Sequence, residues 1–353
     1  MRTIIRRIDR KKLHNKAAVQ TIEKAGEILK AGGLVAFPTE TVYGLGADGL
    51  NEDAARKIYE AKGRPSDNPL IIHIANIRSL RKVAEDVPEK AKKIAKKYWP
   101  GPLTMIFEKT DIVPYRTTGG LETVAVRMPG DPVALEVIRA GGGFIAAPSA
   151  NISGRPSPTS ADHVKEDLKG RIDMIVDGGQ VEIGVESTIL DMTVTPPMIL
   201  RPGAITQEML EELIGEVAVD GPIAIVDSTE SPKAPGMKYR HYAPQAELSV
   251  VEGPIELVIE AINRMVAGRI AEGYKVGIIA TDETVERYRS GIIKSIGTRT
   301  DEATIAGHLY GVLREFDEEG ADYIFSESFS TCGIGNAVMN RLLKAASQHI
   351  IDV

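Results

Sequence analysis

Residues 35–74, VAFPTETVYGLGADGLNEDAARKIYEAKGRPSDNPLIIHI, constrain the fold more than any other stretch. An apolar run, Leu34, Val35, Ala36 and Phe37, reads as a strand that Pro38 ends, and 39–46 reads as a turn dense in hydroxyls and glycines. A helix is expected next. Asn51 is its cap, Ala55, Ile58, Tyr59 and Lys62 share one side, and Gly63 stops it ahead of the loop 64–69. The apolar run 70–75 then reads as a second strand with His73 inside it. Two cations at a helix end beside a Gly/Thr turn suit a polyphosphate and a small polar ligand. Lys62 and Arg64 neutralise phosphate, glycines let backbone N–H groups approach it, and threonine hydroxyls fix orientation. The alternative reading of the same residues is an ordinary solvated turn.

A chain of 353 residues has room for two packed cores, so two domains are the default expectation. No apolar run approaches the roughly 20 residues of a membrane span, and the first residues carry no apolar core long enough for a signal peptide. The single cysteine, Cys332, excludes an internal disulfide and a cysteine-based metal site, which points to a reducing, cytoplasmic setting. Net charge is −6, yet residues 1–16 hold seven Lys/Arg against one acid. That basic arm reads as solvated charge flanking a first strand, or as an RNA contact.

Ala18, Ile22, Ala25 and Leu29 recur at helical spacing, and Gly32-Gly33 closes that helix. Two more helices are expected over 77–87 and 88–98, the second with Ala91, Ile94, Ala95 and Tyr98 inward and a solvated lysine face outward. Strands follow at 103–107 and 123–129, where Arg127 points away from its apolar neighbours, and Pro132 opens a helix that 141–143 ends. A second notable stretch is 144–159, an apolar strand running into Ser149, Asn151, Ser153, Ser157 and Thr159. Ligands of α/β sheets sit at the carboxyl ends of strands, so a second wall of a site is expected here; a surface loop held by its own side-chain turns is the alternative. Strands at 172–177, 186–191 and 198–201 put Ser187 and Arg201 at strand ends, and Thr206 caps a helix to Ile214.

Composition shifts at 220–247, where Pro, Gly and Ser surround Tyr239, Arg240, His241 and Tyr242. Such chemistry in a structureless loop suggests a lid, with passive linkage as the alternative. Beyond it, strands and helices alternate to the end as a small parallel α/β domain of Rossmann-like appearance. The turn 332–336 resembles a phosphate turn but reads better as a structural helix entry.

These residues carry a resemblance. Lys62-Gly63-Arg64 with Ser149-Ala150-Asn151 matches the KxR and SxN signature of the YrdC-type family, and PTETVYGLG, RPxxNPL and ESTIxD fit it too. SPxAPGMKYRHYAP is similar to the linker of that family's two-domain threonylcarbamoyl-adenylate synthases, and GIGNAVxNRLxKAA looks like their C-terminal domain. Ala150 departs from the threonine that relatives often carry and removes no polar group the signature needs.

The resemblance implies an α/β protein with a YrdC-like twisted open sheet domain at 1–219, a linker and lid at 220–247 and a smaller Rossmann-like parallel domain at 248–353. It implies a cytoplasmic nucleotidyltransferase that condenses L-threonine, bicarbonate or CO2, and ATP into threonylcarbamoyl-adenylate and pyrophosphate. A separate threonylcarbamoyl transferase complex would use that product on the tRNA adenosine beside the anticodon. By the same resemblance Lys62, Arg64, Ser149 and Asn151 are catalytic. ATP falls to Arg64, Asn68, Thr123, Ser149, Ser157 and Arg201, with Tyr239, Arg240 and His241 closing over the site. Threonine falls to Thr41, His73, Arg127, Ala147 and Ser187. Mg2+ is expected to arrive on the ATP phosphates and not in a protein cage, with no organic prosthetic group. His73, inside an apolar strand, has a second reading as a satisfied core residue. Two rivals stay open at this level: an RNA-binding module, making at least a weak RNA contact, and a carbamoyl-transfer enzyme using carbamoyl phosphate, whose relatives carry zinc-finger and acylphosphatase modules that this sequence lacks.

Overall fold

Caps and periodicity decide the long helices. Asn15 accepts from the Ala18 N–H and starts helix Lys16–Lys30, which buries Ala18, Ile22, Ala25 and Leu29. Asn51 accepts from the Asp53 and Ala54 N–H groups, and Gly63, at φ +61°, ends helix Glu52–Lys62 in the left-handed conformation that glycine adopts without penalty. Each large aliphatic side chain buried in this way contributes about 1.5–3 kcal/mol. The computed structural model describes residues 2–220, 232–235 and 241–353. The chain divides into two units, the first of Met1–Ser153, Ser157–Glu182 and Glu186–Lys238, the second of Gly154–Pro156, Ile183–Val185 and Tyr239–Val353.

The strands of the first unit are β1 (Ile4–Arg7), β2 (Val35–Phe37), β3 (Gly44–Asp48), β4 (Ile71–His73), β5 (Leu103–Glu108), β6 (Thr123–Arg127), β7 (Ile145–Ala146), β8 (Met174–Asp177), β9 (Thr188–Asp191), β10 (Met198–Arg201) and β11 (Ala218–Val219). They form one mixed sheet in the order β1-β8-β2-β3-β7-β4-β6-β5-β9-β10-β11. Both faces are covered around β2: Val35 and Phe37 join the core under helices Lys16–Lys30 and Pro132–Ala140, while Leu34 and Ala36 join the core under Glu52–Lys62 and Ala161–Leu168. A short, wholly apolar strand is what burial on both faces requires.

Among the elements that differ from expectation, three have a clear physical reason. Residues 44–48 form β3, antiparallel to β2, where the sequence suggested a turn. A Cβ at Gly46 would lie 2.6 Å from the Phe37 ring, so this glycine serves close packing within a strand. The helix expected over 77–87 shrinks to two short turns, Ile77–Ser79 and Leu80–Val83. Ala84 bridges to Lys109, and the Glu85 N–H reaches the Glu108 carbonyl at 3.0 Å, so the edge of β5 draws the backbone out of helix. The third is an added strand at the C-terminus.

That strand belongs to the second unit, whose strands are β12 (Glu247–Glu252), β13 (Val276–Ala280), β14 (Ile292–Ser295), β15 (Tyr323–Glu327) and β16 (Ile350–Asp352). They lie parallel in the order β14-β13-β15-β12-β16. The Rossmann-like parallel expectation therefore holds, with helices Ile255–Ala271, Glu302–Glu319 and Gly333–Ala345 as connections. At the start of Gly333–Ala345 the Gly335 N–H already meets the Glu302 carboxylate at 3.2 Å. A carboxylate occupying the positive end of the helix supports the structural reading of that turn. Tyr242, at φ +64°, is held by stacking on Tyr310 at 5.3 Å between ring centroids.

Candidate active site

β4 and β6 run parallel and in register, so His73 lies beside Arg127; β5 pairs antiparallel with β6 and brings Thr104 opposite Arg127. Side chains alternate along strands. Ile72, Ile74 and Val126 therefore enter the apolar core on one face, leaving His73, Arg127 and Thr104 together on the other. Hydrogen bonds extend this polar row in both directions. Thr104 Oγ1 lies 2.8 Å from Ser187 Oγ, and Arg201 donates from Nε to the Ser187 carbonyl (3.1 Å) and from Nη2 to its hydroxyl (3.3 Å). On the other side Arg127 Nη1 donates to Thr41 Oγ1 at 3.0 Å, which sits 2.9 Å from Thr39 Oγ1. All of these side chains are buried.

Glu40 completes the row. Its carboxylate lies 2.8 Å from Arg127 Nη2, without the alignment of a hydrogen bond. Burial by itself pushes the Glu40 carboxyl up, and the Arg127 guanidinium brings it below its ordinary value, so it is held as a carboxylate. Neither Glu40 nor Thr104 was singled out in the sequence. The signals available were an acid between two threonines and one hydroxyl within the apolar run 103–107.

His73 is pushed down to about 3, first by burial and then by the Arg127 charge, and is neutral. The Ile71 carbonyl accepts from Nδ1 at 3.0 Å, which makes the ring both a satisfied core residue and a neighbour of Arg127. Because the folded state disfavours the proton, the unfolded chain alone takes it up below about pH 6.5. Stability from this group is complete above that pH and is lost as pH falls toward about 3. The expected slope between pH 6.5 and 4.5 approaches about 1.4 kcal/mol per unit. Urea midpoints of wild type and His73→Asn across that window test it; equal pH dependence in the two would show that His73 does not carry the effect.

The second group of expected residues gathers around Lys62. Its ammonium is 1% exposed and donates to the carbonyls of Ser149 (2.6 Å) and Asn151, with Asn151 Oδ1 at 3.4 Å. Ser149 Oγ donates to Asn151 Oδ1 at 2.6 Å, and Ser149 bridges to Gly44. Lys62 thus ties the end of its helix to the loop beyond β7. Ala147 donates its N–H to the Ile71 carbonyl at 2.9 Å, which anchors the start of this loop to β4. Arg64, buried, donates to the Asn68 and Pro69 carbonyls at 3.4 and 3.2 Å. Asn68 is 1% exposed, and its Oδ1 has no hydrogen-bond partner among the described residues. A buried amide oxygen left unpaired is costly unless a ligand or water completes it. Ser157 Oγ donates to Glu186 Oε1 at 2.5 Å.

Not every expected residue joins these two groups. Thr123 shares a face of β6 with Arg127 but stands four residues away, about 13 Å at the rise of a strand, and pairs with Glu108. Tyr239 and Arg240 lie outside the described residues. His241 is described within the second unit, buried, its ring 5.5 Å from that of Tyr242. The described piece of the expected linker, 232–235, packs in the first unit. Ala234 is fully buried, Lys233 Nζ meets Asp191 at 3.3 Å, and Arg201 Nη1 reaches the Pro235 carbonyl at 3.4 Å. Among the described residues no group of three or more His, Cys, Asp or Glu side chains is placed to hold a metal ion, and no helix is long and apolar enough to cross a membrane.

Comparison with known proteins identifies the family and the fold. The family described as telomere recombination (Sua5/YciO/YrdC) matches residues 27–203, and the threonylcarbamoyl-AMP synthase C-terminal domain matches 205–347. The chain is 50% identical to the threonylcarbamoyl-AMP synthase of Pyrococcus abyssi over 332 residues, 94% of this chain and 96% of that protein. It is 51% identical to the Bacillus subtilis protein of the same name over 331 residues, 94% of each. The crystal structure of P. abyssi Sua5 complexed with L-threonine superposes with a TM-score of 0.92 at 48% identity, covering 99% of this chain and all of that one. On motifs, fold and identity along nearly its whole length, the chain belongs to the Sua5/YciO/YrdC family in its two-domain form.

Proposed function

We propose that this chain is a cytoplasmic L-threonylcarbamoyladenylate synthase, a nucleotidyltransferase joining L-threonine, bicarbonate or CO2, and ATP. Two observations carry the assignment of roles: the buried polar row His73–Arg127–Thr104–Ser187–Arg201, and the loop that Lys62 pins by its carbonyls. Arg127 presents a fixed cation to the amino acid's carboxylate, and the hydroxyls of Thr41 and Ser187 face its polar groups, with Ala147 as wall. Arg64, Arg201, Ser149, Asn151 and Ser157 take the nucleotide, Asn68 Oδ1 accepting a ligand N–H, and Thr123 lies at its outer margin. The threonine amine and CO2 form a carbamate with release of a proton. A carbamate oxygen then bonds to the α-phosphorus while the bridging oxygen to the β-phosphorus leaves with pyrophosphate. Such in-line displacement rests on positioning and charge stabilisation. Mg2+ arriving with ATP would supply neutralisation of charge on the phosphates, beside the cations Arg64 and Arg201. Carbamates decompose in water, which gives Tyr239, Arg240 and His241 the task of excluding solvent. The product goes to a separate threonylcarbamoyl transferase complex acting on tRNA, and any RNA contact of this chain is weak.

Pyrophosphate release measured with threonine, bicarbonate and ATP each omitted in turn tests the assignment. All three omissions are expected to reduce release to background. Release that persists without threonine or without bicarbonate would replace this reading with a simpler ATP hydrolysis.

A further inference from the structure

Between the short turns of 77–83 and helix Glu89–Tyr98, in the layer that covers the sheet face opposite Arg127, lies a cavity of about 730 Å³ within the first unit. Leu80, Val87, Ala95, Trp99 and Met128 line it with apolar atoms, and Arg78, Arg81, Lys92 and Lys96 stand around its edge. The floor is buried or half-buried, whereas the four cations are exposed. Strand alternation separates this cavity from the polar row, because Met128 follows Arg127 and turns toward the helical layer.

The charge around the opening is a local feature. Residues 78–97 carry eight lysines and arginines against three acids in a chain of net charge −6. Lys92 meets Glu89, while Arg78, Arg81 and Lys96 form no ion pair among the described residues. Lys92 and Lys96 are spaced i, i+4 on helix Glu89–Tyr98, one ridge of the lysine face, and this ridge overlooks the cavity. Ile77, 45% exposed, adds an apolar shelf at the rim.

The floor offers no free polar group with which to read a small molecule. Its indole N–H donates to the Leu103 carbonyl at 2.6 Å, and no other side chain of the floor carries nitrogen or oxygen. Small-ligand sites usually add a few convergent polar groups to an apolar wall, and single-stranded RNA needs exposed aromatic faces for stacking, whereas Trp99 is 8% exposed. An apolar trough edged by cations, three of them without an ion pair among the described residues, matches a helix-in-groove surface, with steering by opposite charge. We infer that this cavity docks an acidic amphipathic segment of a partner protein, its apolar side chains on Leu80, Trp99 and Met128 and its carboxylates against Arg78, Arg81 and Lys96.

Trp99 is the single tryptophan of the chain, so its emission reports directly on the cavity. The probe is a synthetic helix with leucines at i, i+3, i+4 and i+7 and glutamates elsewhere, titrated into the full-length protein. The expected result is a saturable shift in Trp99 emission that weakens with added salt and loses at least about tenfold in affinity in Arg81→Glu/Lys96→Glu. The same peptide with lysines for glutamates is expected to give no shift. Where charge reversal disturbs folding, as judged by circular dichroism, the neutral pair Arg81→Gln/Lys96→Gln is expected to weaken binding in the same direction. No saturable shift with the acidic peptide, equal binding of the two peptides, or unchanged affinity in the variants overturns the inference. A variant-sensitive shift produced instead by ATP or by an RNA oligonucleotide would also overturn it, assigning the cavity to that ligand.

Discussion

Arg127→Ala is expected to raise the threonine concentration needed for half-maximal pyrophosphate release by about two orders of magnitude, and to destabilise the protein at the same time. The first effect follows from removing a fixed, buried cation opposite a carboxylate, a loss of about 2–5 kcal/mol for a desolvated charge pair. The second follows from Glu40, which lies 2.8 Å from Arg127 and is itself buried. Stripping its partner leaves a carboxylate without compensation, which costs about 3–5 kcal/mol. The two effects are separable, because exchanging both partners for methionine removes the stranded charge and the cation together. Glu40→Met/Arg127→Met should recover most of the stability and none of the threonine affinity, as read by denaturant midpoint and by threonine titration. An unchanged threonine dependence in the single variant would remove Arg127 from the substrate site. Recovery of threonine affinity in the double variant would make the role of Arg127 purely structural.

Lys62→Met is expected to lower ATP-dependent turnover by about 10²–10³-fold, the range seen when a preorganised donor of a transition-state site is lost. The route is indirect. The ammonium holds the carbonyls of Ser149 and Asn151, so its removal frees the loop that presents the Ser149 hydroxyl and Asn151 amide. Charge-assisted bonds of this kind contribute about 1.5–3 kcal/mol each, and a drop in melting temperature should accompany the loss of rate. Because Lys62 acts through the loop, its effect and that of Ser149→Ala should overlap: the double variant is expected to fall short of the product of the two single losses. Strict multiplicativity would mean that Lys62 and Ser149 act on the nucleotide separately, and wild-type turnover in Lys62→Met would remove the lysine from the machinery. Arg64→Ala should also reduce turnover, and wild-type rates in that variant would remove its guanidinium from the nucleotide site.

Glu40 shows where the residues alone fell short. Nothing local distinguishes it from a solvated acid in a turn, and its partner lies 87 positions away in a strand that the chain reaches only after three intervening strands, β3, β4 and β5. Gly46 reads as a turn residue for the same reason: its task in β3, to pass close against Phe37 of β2, depends on a neighbour that only the sheet supplies. Strand β16 has three residues and no cap or turn signal of its own, and it exists because β12 offers an edge. By sequence His73 admits two readings, and the fold realises both at once, a satisfied ring nitrogen and a place beside Arg127.

What the amino-acid order determined by itself was local: helices bounded by Asn15, Asn51, Gly63 and Thr206, the apolar strands, the two-part α/β layout and the motifs that marked the family. Each of these depends on residues within a turn or two of one another, where caps, φ preferences and periodicity act. Tertiary structure alone decided that β7 enters between β3 and β4, that five side chains from distant strands form one buried polar row, and that Lys62 points at loop carbonyls. Those outcomes are set by strand register, which is selected by the burial of whole faces across the sheet and so is written in no single segment.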